Sequence, residues 1–160
     1  MTLSPATVVH SLKYVLLAIA VLVASSAHAK TSPVDDSGTV PYEPVVGMHW
    51  QALSPRGAKR NFMVGSTMVR VRLNVTPWLR HSGRIYMVLP AQLPGRISAS
   101  WTSQGRLLAG QVISGNRALV YAGPITSALI EDVIRLELTV DGSQMRQAYD
   151  LSFRFEIDEN

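Results

Sequence analysis

The stretch from Ile134 to Ile157 is built on strict alternation. Ile134, Leu136, Leu138 and Val140 are interleaved with Arg135, Glu137 and Thr139, and Leu151, Phe153, Phe155 and Ile157 with Ser152, Arg154 and Glu156. Successive side chains of a strand point to opposite faces, so each run has one apolar face and one wet face. A helix needs apolar residues at i, i+3, i+4 and i+7 and would scatter these around its circumference. The pattern predicts two half-buried strands. Asp141-Gly142 between them supplies residues that tolerate the positive φ of a tight turn, so the two read as a final hairpin. Such a pair cannot bury its apolar face alone, and the rest of the chain must supply the covering layer.

The preceding residues supply more strands. His49–Leu53 is the first expected strand, and Ser54–Asn61, with Pro55 and Gly57, reads as a basic loop. In Met68–Val75 the residues Val69, Val71, Leu73 and Val75 turn inward and Arg70, Arg72 and Asn74 outward, and Pro77 ends the run. Arg84–Leu89, Ile97–Trp101, Arg106–Ile113 and Arg117–Tyr121 follow, separated by His81-Ser82-Gly83, Gln104-Gly105 and the hairpin signal Ser114-Gly115-Asn116. Ile125–Val133, after Gly123-Pro124, is expected to hold a helical turn or a crossing loop. Short, regularly spaced strands with Gly and Pro between them predict an all-β fold. The expectation is one immunoglobulin-like sandwich of about seven to eight antiparallel strands over 48–160, with Trp78 or Trp101 as its central aromatic. The Cys-Trp-Cys signature of true immunoglobulin domains is absent.

The N-terminus sets the compartment. Lys13, the apolar run Tyr14–Ala24 and the A-x-A ending Ala27-His28-Ala29 have the layout of a secretory signal peptide over 1–29, cleaved after Ala29. The apolar run is too short for a membrane span, which needs about 20 residues. With no cysteine anywhere, an exported domain depends on packing and strand pairing alone, and the combination points to a bacterial periplasmic or cell-surface protein. In that setting the sequon Asn74-Val75-Thr76 carries no meaning. Residues 30–47, with Pro33, Pro41 and Pro44, read as an extended arm or linker. Within it Val40, Tyr42, Val46 and Met48 share one parity, as though a short extended segment lay against something apolar, and the prolines confine it to an edge.

Charge divides the chain. Pro44 to Ile130 contains no acid, and carries Arg56, Lys59, Arg60, Arg70, Arg72, Arg80, Arg84, Arg96, Arg106 and Arg117. Glu131 to Asn160 holds eight acids against Arg135, Arg146 and Arg154. Either basic and acidic strands pair within the fold, or the surface is bipolar and attracts a partner. Pairing is the simpler reading, with Glu137 and Glu156 expected to face Arg70, Arg72, Arg84 or Arg154.

Catalytic chemistry finds little support. There is no cysteine nucleophile, no Gly-x-Ser-x-Gly elbow, no nucleotide-binding glycine fingerprint and no metal-ligand spacing around His49 or His81. Glu131 and Asp132 are adjacent, so on a strand they point to opposite faces and do not form a paired-carboxylate site. A loop or cap role suits them better. The expectation is therefore a non-catalytic envelope protein with no cofactor and no metal, acting as a protein-interaction or structural subunit, with a surface appendage such as a pilus as its most specific form. Its partners are envelope proteins, further copies of itself or appendage subunits, not nucleic acid, and no transmembrane segment remains after cleavage. Candidate partner-binding residues are Val40, Tyr42 and Val46 on the arm, the basic Arg56, Lys59, Arg60, Arg70 and Arg72, and the outward acids Glu137 and Glu156. Two alternatives differ in class: a module binding an anionic envelope glycan through the basic residues, and a hydrolase using His81 with Ser82 or Glu131.

Overall fold

The computed structural model describes residues 30–51, 61–91, 97–142 and 152–159. The expected signal peptide and the cluster Arg56, Lys59 and Arg60 lie outside the described residues. The fold is all-β, with ten strands among the described residues. They are β1 (Thr31–Pro33), β2 (Val40–Pro41), β3 (His49–Trp50), β4 (Phe62–Asn74), β5 (Ser82–Leu89), β6 (Ile97–Ser103), β7 (Gly110–Ile113), β8 (Asn116–Pro124), β9 (Leu129–Asp141) and β10 (Arg154–Glu159).

Two antiparallel sheets pack face to face. The smaller has four strands in the order β1-β10-β5-β8, and the larger has six, ordered β2-β4-β9-β6-β7 with β3 also paired to β4. Their inner faces meet in one core, built from inward residues such as Val71, Leu73, Ile134 and Leu136 of the larger sheet and Ile85, Met87, Phe155 and Ile157 of the smaller. The alternation read from the sequence holds: Ile134, Leu136, Leu138 and Val140 are buried, while Arg135 and Glu137 between them are exposed.

Several expectations are corrected. β9 and β10 are not hairpin partners but lie in opposite sheets, because β4 and β6 occupy both edges of β9 while β1 and β5 occupy both edges of β10. Alternation specifies which face is wet, and it is silent about which strand lies alongside. Of Ile125–Val133, residues 125–128 form the expected crossing loop, from the smaller sheet to the larger, while β9 already begins at Leu129 and there is no helical turn. β4 is thirteen residues long and pairs with all thirteen of β9, which makes this long ladder the spine of the larger sheet. Trp101 is the core aromatic, with its Nε1 donating to the Leu108 carbonyl at 2.8 Å, whereas Trp78 sits half-buried on a short 3₁₀ turn. Gly110 faces that indole: a Cβ there would meet Trp101 Cζ2 at 2.8 Å, so only glycine fits.

The segment read as a linker is part of both sheets. β1 forms the outer strand of the smaller sheet, the chain crosses at Val34–Thr39, and β2 and β3 form the outer strand of the larger. Val34 is buried at the crossing and its N–H donates to the Phe155 carbonyl. On the opposite side the tight turn at Ser114-Gly115 carries the chain from β7 to β8, and so from one sheet to the other. Within the described residues the chain thus crosses between the layers four times, at 34–39, 75–81, 114–115 and 125–128, and these covalent links tie the layers together without a disulfide.

Candidate functional site

The arm gathers the most exposed apolar surface. Val40, Tyr42, Val45 and Trp50 are all large, hydrophobic and exposed, with Val45 reaching 78%. The fifth such residue among those described, Leu108, is at 46% and belongs to the β6–β7 loop. Scattered exposed hydrophobics are ordinary, but a run of them along one edge marks a contact surface. Tyr42 is held there by Arg70 of β4, whose guanidinium lies 5.5 Å from the ring centroid. The remaining half of the arm turns inward. Val46 and Met48 pack over Gly65 of β4, where a Cβ would lie 2.5 Å from Met48 Sδ and 2.8 Å from Val46 Cγ1.

The edge is accessible to side chains, and its β2 part offers no outward backbone donor at Pro41. The Tyr42 N–H donates to the Met68 carbonyl, so Tyr42 and Val40 turn their backbone polar groups toward β4 and Pro41 turns its own outward. β1 repeats the arrangement: the Val34 N–H and the Lys30 carbonyl face β10, which leaves Pro33 directed outward. At both positions the residue facing open solvent has no N–H. An incoming strand therefore finds a missing donor on the β1 edge and on the β2 edge.

The expected ionic pairs form only in part. Glu137 lies between Ser66 and Ser100, not opposite an arginine, and Glu156 pairs with Arg154 two residues away at 3.1 Å. Arg72 instead meets Glu131, its register partner across β4 and β9, at 3.2 Å. Arg117 of β8 reaches across β5 to Asp158, with Nη1–Oδ1 at 2.9 Å and Nη2–Oδ2 at 3.0 Å, while its guanidinium lies 4.2 Å from the Tyr86 ring centroid. Arg117 and a hydroxyl bond from Thr31 hold the Asp158 carboxyl below its ordinary pKa, and the same carboxylate raises that of Arg117. The basic middle and acidic end thus meet within the molecule at Arg72–Glu131 and Arg117–Asp158. Arg70 and Arg72 are both engaged, by Tyr42 and Glu131, and do not form a cluster of free cations.

The residues weighed for catalysis are dispersed. Glu131 sits on the outer face of the larger sheet, whereas Ser82 belongs to the smaller sheet, immediately after His81. The acid that shares a shallow recess with His81 is Glu159, beside Ser32 and Trp78. Ser82 lines the same recess, and Trp78 Nε1 donates to Glu159 at 3.0 Å and, with a smaller contribution from His81, lowers the pKa of that carboxyl. Asp132 occupies a core-facing position of β9 and caps the β6–β7 loop: it accepts from Ser103 Oγ and the Leu107 N–H, each at 2.8 Å, and from the Val133 N–H at 2.7 Å. Glu131 and Asp132 point to opposite faces, as their adjacency requires. His49 is an exposed residue of β3, paired in register with Val64. No group of three or more His, Cys, Asp and Glu residues with metal-binding geometry occurs among the described residues, and no described helix is long and apolar enough to cross a membrane.

A second concavity, of about 850 Å³, lies between the sheets beneath the arm. Sequence reasoning missed it. Its signal is Thr67 in the inward series of β4, a smaller polar residue ahead of Val69, Val71 and Leu73 at one end of the core. Asp36 stands at its polar side, and burial pushes that carboxyl's pKa up. Compared with protein-family models, curated proteins and solved structures, the chain finds no match.

Proposed function

We propose that this chain is a non-catalytic, exported, immunoglobulin-like sandwich that serves as a protein-interaction or structural subunit of the bacterial cell envelope, and that it engages its partner through the side chains of its N-terminal arm. The observation that carries the reading is the exposure of Val40 and Tyr42 side by side on the outer face of the larger sheet's edge, followed by exposed Val45, at an edge where Pro41 removes an outward donor. Aromatic residues in such a position supply large contact area at low entropic cost, and Arg70 beneath Tyr42 keeps that ring in place. Within an appendage, the subunit would dock by this patch, since its arm is already spent on its own sheets. The exported location rests on the leader-like 1–29 segment, and β1 starts at Thr31, immediately beyond the expected cleavage point.

A photo-crosslinking amino acid placed at Tyr42 or Val45, in the bacterium that makes the protein, tests this directly. The expected result is a discrete adduct with one envelope protein or with a second copy, absent when the probe is moved to Thr102 and lost when Val40 is changed to Ser. N-terminal sequencing of the mature protein should begin at Lys30. Equal labelling at all positions, or none at the arm, contradicts the reading.

A further inference from the structure

The cleft beneath the arm has the shape and lining of a ligand site; it shares Val45 with the exposed surface of the arm, while Tyr42 and Val40 lie outside it. Its floor is the inner face of the larger sheet, with Val69, Leu136 and Leu138, and Phe153 and Phe155 of the other layer close it from across. Val46 and Met48 of the arm form its roof. The volume, about 850 Å³, falls within the range of small-molecule sites, roughly 300–1,000 Å³.

The chemistry of the walls selects the occupant. A peptide strand would bring backbone N–H and C=O groups that require partners. The outer edge of β4 is already taken by β2 and β3, and the Phe155 carbonyl by Val34, so these groups would stay unsatisfied. An apolar tail carries no such groups. Where the lining turns polar it offers Ser37 and Thr39 hydroxyls and the carboxyls of Asp36 and Glu43, with no Lys, Arg or His among the described lining residues. That side repels an anionic head and accommodates a hydroxyl or an ammonium.

We propose that this cleft binds the tail of a single-chain amphiphile whose head is uncharged or cationic. Asp36 and Glu43 then act as the residues that discriminate the head, and the length of the tail sets the affinity, each further methylene strengthening binding about four-fold until the cleft is full.

The test is displacement of the neutral fluorophore N-phenyl-1-naphthylamine from the purified protein by octylamine, decylamine and dodecylamine below their micellar concentrations, with dodecanol and dodecanoate for comparison. The expected results are saturable binding of one fluorophore per chain, roughly sixteen-fold tighter competition for each two methylenes added, and dodecanoate weaker than dodecylamine by at least about ten-fold. Val46→Trp fills the cleft from its roof and should abolish fluorophore binding while circular dichroism and the thermal transition stay those of the parent. Asp36→Asn with Glu43→Gln should bring dodecanoate level with dodecanol. Absence of saturable binding by the folded parent, unchanged binding by Val46→Trp, or dodecanoate competing as well as dodecylamine overturns the proposal. Tyr42→Ser, on the outer side of the arm, should leave all these values unaltered, which separates this site from partner docking.

Discussion

Asp132 is a charged residue in the inward phase of β9, where a hydrophobic residue would ordinarily stand. It is tolerated because three donors converge on it, from Ser103, Leu107 and Val133. Removing the carboxylate strands at least two of these donors in a buried setting, so Asp132→Ala should cost about 3 kcal/mol, read as a shift in the urea midpoint at unchanged slope. The sequence suggests a loop or cap role for Glu131 and Asp132, and Asp132 does cap a loop; that it does so from the inward phase of a strand, for a loop between two other strands, was not legible. Asp158 has a different signature. Its carboxyl is held below its ordinary pKa by Arg117 and Thr31, so its contribution to stability is present above the ordinary aspartate range and is lost as pH falls through the depressed native value. Asp158→Asn should therefore melt below the parent at neutral pH, and the gap should close on acidification. Thermal scans of both proteins from pH 7 to pH 2 check this, and a gap that widened in acid would contradict it.

Among the elements, the arm departs furthest from what composition suggests. Prolines and polar residues read as a linker, and as a loose tether they would be. Here the same prolines occupy outward backbone positions of edge strands, where a missing N–H costs nothing within the fold. The parity of Val40, Tyr42, Val46 and Met48 suggested contact with something apolar, and Val46 and Met48 do lie against the core. Val40 and Tyr42 remain exposed, because the bend at Glu43–Val45 interrupts the extended phase. If the prolines guard the edges, Pro33→Val combined with Pro41→Val restores an outward donor on each sheet and should add concentration-dependent association to whatever the parent shows by sedimentation velocity, without loss of strand content. An unchanged sedimentation profile would show that the edges are protected by some other feature. The supposed hairpin teaches the complementary lesson. Both strands were legible, since alternation is local. Their separation into different sheets was not, since neighbour choice is settled by competition among all edges at once.

For the molecule as a whole, the all-β class and the wet and dry faces of the longer strands were readable from periodicity, and so was an internal use for the divided charge. Arg72–Glu131 and Arg117–Asp158 each join the basic middle to the acidic end. Which acid meets which arginine was not readable, because a register shift of two residues preserves every face while changing every partner. The cleft was equally hidden, being a property of two sheets of unequal size and of the smaller, polar Thr67 at one end of β4's inward series. The resulting picture is of a sandwich that uses its own N-terminal arm for one outer strand of each layer, β8 and β7 being the outer strands on the other side. That claim distinguishes it from a subunit that lends its arm to a neighbour. The chain has no cysteine, so a pair introduced as Val40→Cys and Arg70→Cys reports on one contact alone. These residues are register partners on β2 and β4, and a hydrogen-bonded antiparallel pair places Cα atoms about 5.5 Å apart, within the range a disulfide spans. On oxidation, a non-reducing gel should show a cross-linked monomer in high yield. Disulfide-linked dimers or ladders, or two thiols that remain free, would contradict it.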